Sequence, residues 1–298
     1  MDQLKAASII EKQALESLTY KTADFLKHPI RLIQASKSLI GLNLDEPNQK
    51  LLKFNSSILK NNNYKSIKPR NFKNDDIKEV ISMNNLQAAF IDNDRDKVID
   101  ELYQLSKVSS SLHILEYLIE ISLKQTGKSF LIIWSIYRTI FFINQKDIKF
   151  FLDLSIDSIF LDKFSLSNFE SLSVDNNIIR YSNLSINDID LFSHLLEAYN
   201  SNLVRSNKIQ VLISNIINKK FNYNQKEYLI EFDFKYPQLF NKGRSWLLDF
   251  FNDIDGDNIT IELILFLDSI RCLFKFLSKE DYKFICSHFE RLVKKFNV

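Results

Sequence analysis

SFLIIWSIYRTIFFI, residues 129–143, holds 11 apolar side chains in 15. At 100° per residue these side chains surround a helix almost completely, and such a helix is stable only inside a protein body or a membrane. The stretch is shorter than the roughly 20 residues needed to cross a hydrocarbon core, and Arg138 interrupts it. The reading is therefore a central helix in a soluble protein with no membrane span. Before it, Gln125-Thr126-Gly127 forms a turn. The preceding helix runs to about Lys124 and is capped by Ser109, Ser110 or Ser111.

Helical periodicity continues in both directions. Upstream, Asp94 caps a helix reaching Val108, and Asp76–Ile91 precedes it. Downstream come Lys146–Leu161, Asn187–Asn200, Leu203–Lys219, Gln238–Asn252, Ile259–Leu277 and Lys279–Phe296. Near the N-terminus, Leu4–Leu26 is followed by a helix starting at Pro29, a residue suited to the first helical position, and ending at Gly41. A shorter segment covers Gln49–Leu59. YLIEFDF, residues 228–234, alternates briefly but has no strand partner, so helix or loop is preferred. Residues 164–185 are Ser/Asn-rich and without clear pattern. The fold class is all-α, an irregular multi-helix bundle. Helix pairs recurring every 33–36 residues suggest a helical-hairpin, solenoid-like array as the alternative, although no repeated consensus accompanies them.

Residues 60–76, KNNNYKSIKPRNFKNDD, are polar, basic and poor in apolar side chains. They read as a linker between an N-terminal helical segment, 1–59, and a main helical body, 77–298. Trypsin is expected to cut first within this linker, because a lysine-rich segment without apolar anchors is a preferred nicking site. First cleavage elsewhere, leaving 60–76 intact, would remove this boundary.

Composition narrows the function. Lys plus Arg number 39 and Asp plus Glu number 37, a net charge of +2. That balance lacks the basic footprint of a dedicated nucleic-acid binder, so the lysines of 60–76 read as a solvated linker. Four glycines among 298 residues cannot supply a dinucleotide-binding fingerprint. Cys272 and Cys286 lie in helical sequence and read as buried free thiols, which points to a reducing compartment. The N-terminus lacks the apolar run of a signal peptide, so the expected location is cytoplasmic.

Several motifs bear on chemistry. Thr126–Ser129, TGKS, has the lettering of a phosphate-binding loop, but Ser122 stands where its first glycine belongs, so an interhelical turn with a serine cap is preferred. Asp253, Asp255 and Asp257 alternate as in a calcium loop, yet Asn258 and Ile264 replace the glycine and glutamate it requires. They read as an acidic turn capping the next helix. His113/Glu116 and His194/Glu197 are His-x-x-Glu pairs, each placing an imidazole and a carboxylate on one helix face, the candidate metal ligands. A helical wheel puts both pairs on polar faces, where solvation is the simpler reading.

Arg138 shares a narrow polar sector with Ser135 and Thr139. A buried guanidinium needs an anion, and Glu116 or Glu120 is the expected structural partner. A small anionic ligand held by Arg138, Ser135 and Thr139 is the alternative. No catalytic set or cofactor fingerprint is complete, so cofactors and enzymatic status stay open. The functional expectation is a non-enzymatic interaction or scaffold protein binding another protein. Its rival is a helical enzyme with an internal pocket, an oxidoreductase using a metal or organic cofactor.

Overall fold

The computed structural model describes all residues except 22–23, 61–64, 67–76, 78–79, 126, 144–147, 162–173, 175, 222–233 and 297, and omits the side chains of 65–66 and 148–150. Helix accounts for 78% of the described residues. Most of the 60–76 segment lies outside them, as do 228–233 and Thr126.

The chain begins with α1 (Gln3–Leu18), α2 (Pro29–Ile40) and α3 (Gln49–Leu59). Then come α4 (Met83–Ile91), α5 (Arg95–Val108), α6 (Ser111–Leu123), α7 (Lys128–Ile140) and α8 (Ile148–Phe160). The last part holds α9 (Ile186–Tyr199), α10 (Ser206–Phe221), α11 (Pro237–Lys242), α12 (Trp246–Asp253), α13 (Ile261–Phe276) and α14 (Tyr282–Val293). The sole sheet among the described residues is a two-residue antiparallel pair, Tyr20–Lys21 with Lys65–Ser66.

Local chemistry explains most helix starts. The side chains of Asp94, Ser110 and Ser185 accept from the amides of Lys97, His113 and Asp188, satisfying donors a helix leaves orphaned. At α2 the cap is His28, whose Nδ1 accepts from the amide of Ile30 while Pro29 follows without an N–H. Several starts and spans differ from the sequence reading. The helix expected over Leu4–Leu26 ends at Leu18, and the one expected from Asp76 starts at Met83. Thr260, not the acidic turn, caps α13 through the amide of Leu263. Gly127 opens α7 at φ +90°, and the Ser129 hydroxyl donates instead to Gln125 Oε1 at 2.7 Å. The expected single helix Gln238–Asn252 breaks into α11 and α12 at Gly243, where φ is +58° and an L side chain would be strained.

Four helices form the centre. α2 packs on α7 and α13, and α9 packs on α7 and α13, closing a ring. Ile33, Ile132, Phe192 and Ile270, one from each, have no solvent exposure, and full burial of such a side chain stabilises by roughly 1.5–3 kcal/mol. α1 and α3 cover α2, α6 and α8 cover α7, α10 covers α9, and α14 covers α13. Trp246, Phe250, Phe266 and Phe289 join α12, α13 and α14 through ring contacts of 5.1–6.0 Å. In a solenoid each repeat touches only its neighbours. Here α2 meets α13 across more than two hundred residues of chain, so the architecture is an irregular bundle.

Candidate functional site: a buried ionic cluster

The ring of α2, α7, α9 and α13 encloses charged side chains instead of a purely apolar seam. They recur at helical spacing: Arg31, Gln34 and Ser38 on α2; Trp134 and Arg138 on α7; Asp190, His194 and Glu197 on α9; Asp268, Arg271 and Cys272 on α13. Steps of three, four or seven keep each set on one face.

Arg138 lies at the hub. Its guanidinium is 2.9 Å from Glu197 Oε2 and 3.5 Å from Asp268 Oδ2, and it donates to the Ser38 hydroxyl at 2.6 Å. The indole Nε1 of Trp134 donates to Glu197 Oε2 at 3.0 Å. Arg271 Nε donates to Asp268 Oδ1 at 2.6 Å, and Arg271 Nη2 lies 3.7 Å from Glu197 Oε1. Arg31 Nη2 reaches both oxygens of Asp190 at 2.6 and 2.8 Å, tying α2 to α9. The Ser269 hydroxyl adds a bond to Asp190 at 3.2 Å. Three guanidiniums thus face three carboxylates in a low-dielectric interior, where charges are stable only when paired.

Burial opposes ionisation of Glu197, yet Arg138, His194 and Arg271 outweigh it and hold its carboxyl well below the usual range. Burial also opposes charge on Arg271, but Asp268 and Glu197 push its affinity for the proton up. Lys37, beside the cluster, donates to the Arg138 carbonyl at 2.8 Å, and burial with the nearby Arg138 charge lowers its ammonium pKa to about 8. Cys272 is fully buried, its Sγ 3.1 Å from the Ser193 carbonyl, and burial followed by Glu197 pushes its thiol up. Both Cys272 and Cys286 are free and buried.

The sequence-derived candidates separate. His194 and Glu197 sit in the cluster, each only 6% exposed, so the wheel's solvated face for them is corrected. His113 is exposed on α6, as the wheel implied, while Glu116 and Glu120 of the same face are buried. These two carboxylates do not reach Arg138. Glu116 accepts from the Arg205 amide at 3.0 Å and from the Tyr137 hydroxyl at 3.3 Å, and the Arg205 guanidinium bonds Glu120. Burial and then Glu116 push the Tyr137 phenol up to about 12. The expected pairing of Arg138 with Glu116 or Glu120 is therefore replaced by pairing with Glu197 and Asp268. Ser135 and Thr139 return their hydroxyls to the Leu131 and Ser135 carbonyls, and Thr139 also bonds Gln34.

The reading missed Arg31, Asp190, Asp268 and Arg271. The signal that exposed Arg138, a charge within an apolar helical run, was present for Asp268 and Arg271 in ILFLDSIRCLF, residues 264–274. The chain matches no protein-family model, no curated protein and no solved structure. No helix among the described residues is long and apolar enough to cross a membrane.

Proposed function

We propose that this chain is a non-enzymatic helical scaffold that binds another protein through a surface around Glu116. The observation that carries this reading is the placement of exposed apolar side chains there. Phe141, 66% exposed, packs edge-on against Tyr137 at 5.6 Å, and Tyr137 bonds Glu116. Val204, 76% exposed, precedes Arg205, whose amide bonds the other oxygen of Glu116. His113 lies exposed one turn before Glu116. Phe141 and Val204 are thus exposed apolar side chains on two segments that each connect, through Tyr137 and the Arg205 amide, to one buried carboxylate, and this pair is the surface proposed for the partner.

The internal polar groups support the same reading. Arg138 is held by Glu197, Asp268 and Ser38 rather than turned toward a substrate, and the ionic cluster ties the four central helices together. The test is co-purification of the full chain from its native cells. The Phe141→Asp, Val204→Asp double variant should keep its circular dichroism spectrum and Tm, because both positions are exposed, and should lose the retained partner at least tenfold. Unchanged partner recovery, or no retained partner with the unaltered chain, overturns the proposal.

A further inference from the structure

We propose that His194, Glu197 and Cys272 form a zinc site at the centre of the bundle. One ligand atom of each, a ring nitrogen, a carboxylate oxygen and the thiol sulfur, lie within 4.8 Å of one another, and all three residues are buried. Zinc takes nitrogen at about 2.0–2.1 Å and sulfur at about 2.3 Å in tetrahedral geometry, which sets donors roughly 3.5 Å apart. Side-chain shifts of about 1 Å bring this set to that spacing. His194 and Glu197 share a face of α9 at i,i+3, and Cys272 meets them from α13.

An independent observation points to a ligand at the same place. His194 Nδ1 is buried with no hydrogen-bond partner, and it faces Glu197 Oε2 at 3.5 Å. The other ring nitrogen, Nε2, is 3.4 Å from Asp190 Oδ1 and 4.0 Å from Asp268 Oδ2. Carboxylate oxygens thus flank both ring nitrogens, and a cation seated between Nδ1 and Glu197 would be coordinated by both. The carboxylate–histidine arrangement is the one that orients metal-bound imidazoles, with Asp190 in the outer position. Oε2, the Glu197 oxygen facing Nδ1, also accepts from Trp134 and pairs with Arg138, which fixes the carboxylate, while Oε1 lies 3.7 Å from Arg271 Nη2.

The donor set selects the metal. A thiolate with an imidazole and one carboxylate suits zinc, whereas calcium and magnesium take oxygen ligands. Binding forms the zinc–sulfur bond as the S–H bond breaks, and the proton passes to solvent buffer. Zinc, thiolate and Glu197 are then formally neutral together, while Asp268 still faces both Arg138 and Arg271. The guanidiniums weaken the hold on a cation, and the thiolate charge offsets them.

The test uses the full chain, stripped by a chelator and then loaded with zinc or with cobalt(II) as a spectroscopic stand-in. One zinc per chain should be retained after gel filtration, and Tm should rise. The cobalt form should show a thiolate-to-cobalt charge-transfer band. Only two cysteines exist, so Cys286→Ala must keep the band if Cys272 is the ligand, and Cys272→Ala must lose it. His194→Gln should weaken zinc binding at least tenfold. Absence of the band from the unaltered chain, its loss in Cys286→Ala or its survival in Cys272→Ala overturns the site. None of these readouts involves Phe141 or Val204, so the partner surface and the metal site stand or fall separately.

Discussion

Replacing Arg138 with methionine is expected to lower stability by about 3 kcal/mol or more, the scale for breaking one side of a buried ion pair. The guanidinium has a 14% exposed side chain, and its departure leaves Glu197 and Asp268, both nearly sequestered, short of one cation. Arg271 and Trp134 still hold them, which places the loss toward the lower end of the range. The Ser38 hydroxyl also loses its donor from α7, so the seam between α2 and α7 weakens as well. Lys5→Met, on the exposed face of α1, should change stability by less than about 0.5 kcal/mol. A double variant, Arg138→Met with Glu197→Leu, should recover part of the loss, because it removes the stranded charge along with its partner. Urea unfolding of the four proteins measures this directly. An unchanged midpoint for Arg138→Met would mean that the hub carries no net stabilisation.

The second large effect is acid destabilisation driven by two buried histidines. His28 donates from Nε2 to the Tyr20 carbonyl at 3.0 Å while its Nδ1 accepts from the Ile30 amide at 3.1 Å. His288 faces the Ile179 carbonyl through Nε2 at 2.8 Å and Arg291 through Nδ1 at 3.0 Å. Both bonding patterns fit the neutral ring. Burial, with Arg31 near one and Arg291 near the other, lowers each pKa from 6.5 to about 4, against an opposing contribution from the backbone carbonyls. The folded pKa lies below the unfolded one, so the folded state is fully favoured above about pH 6.5. As pH falls the unfolded chain takes up protons that the folded chain refuses, down to about pH 4. Each histidine then removes roughly 1.4 kcal/mol per pH unit. Protonation of Glu197, held low by its cations, adds to the loss only at lower pH. Chemical unfolding at pH 7, 6 and 5 should show a steep decline that becomes shallower in His28→Asn, whose side chain still caps α2. A flat profile over that interval would contradict the burial of these rings.

The helices and many of their caps were legible because the information is local. Asp94, Ser110 and Pro29 mark starts through bonds made within one turn, and the apolar run from Ser129 marks a helix buried as far as Ile140 by composition alone. Where local chemistry was ambiguous the reading slipped. Gly243 gives no sign in sequence that it takes a positive φ, so one expected helix became two. The candidate site was half legible. An arginine in an apolar helix announced its need for an anion, and His194 with Glu197 announced a shared face.

Sequence alone sufficed for the all-α class, most approximate helix spans, the burial of α7 as far as Ile140 and the pairing requirement of Arg138, whereas the exposure of Phe141 just beyond that helix ran against its apolar pattern. Only the tertiary structure decided which carboxylates meet that requirement. A wheel sorts a helix into apolar and polar faces, but a polar face turned toward another polar face is buried just as completely as an apolar one. Asp190, His194 and Glu197 on α9 are enclosed because α2, α7 and α13 bring Arg31, Arg138 and Arg271 against them. Those partners lie from about 50 to 170 positions away in the chain, and no periodicity within one helix records which distant helix will cover it.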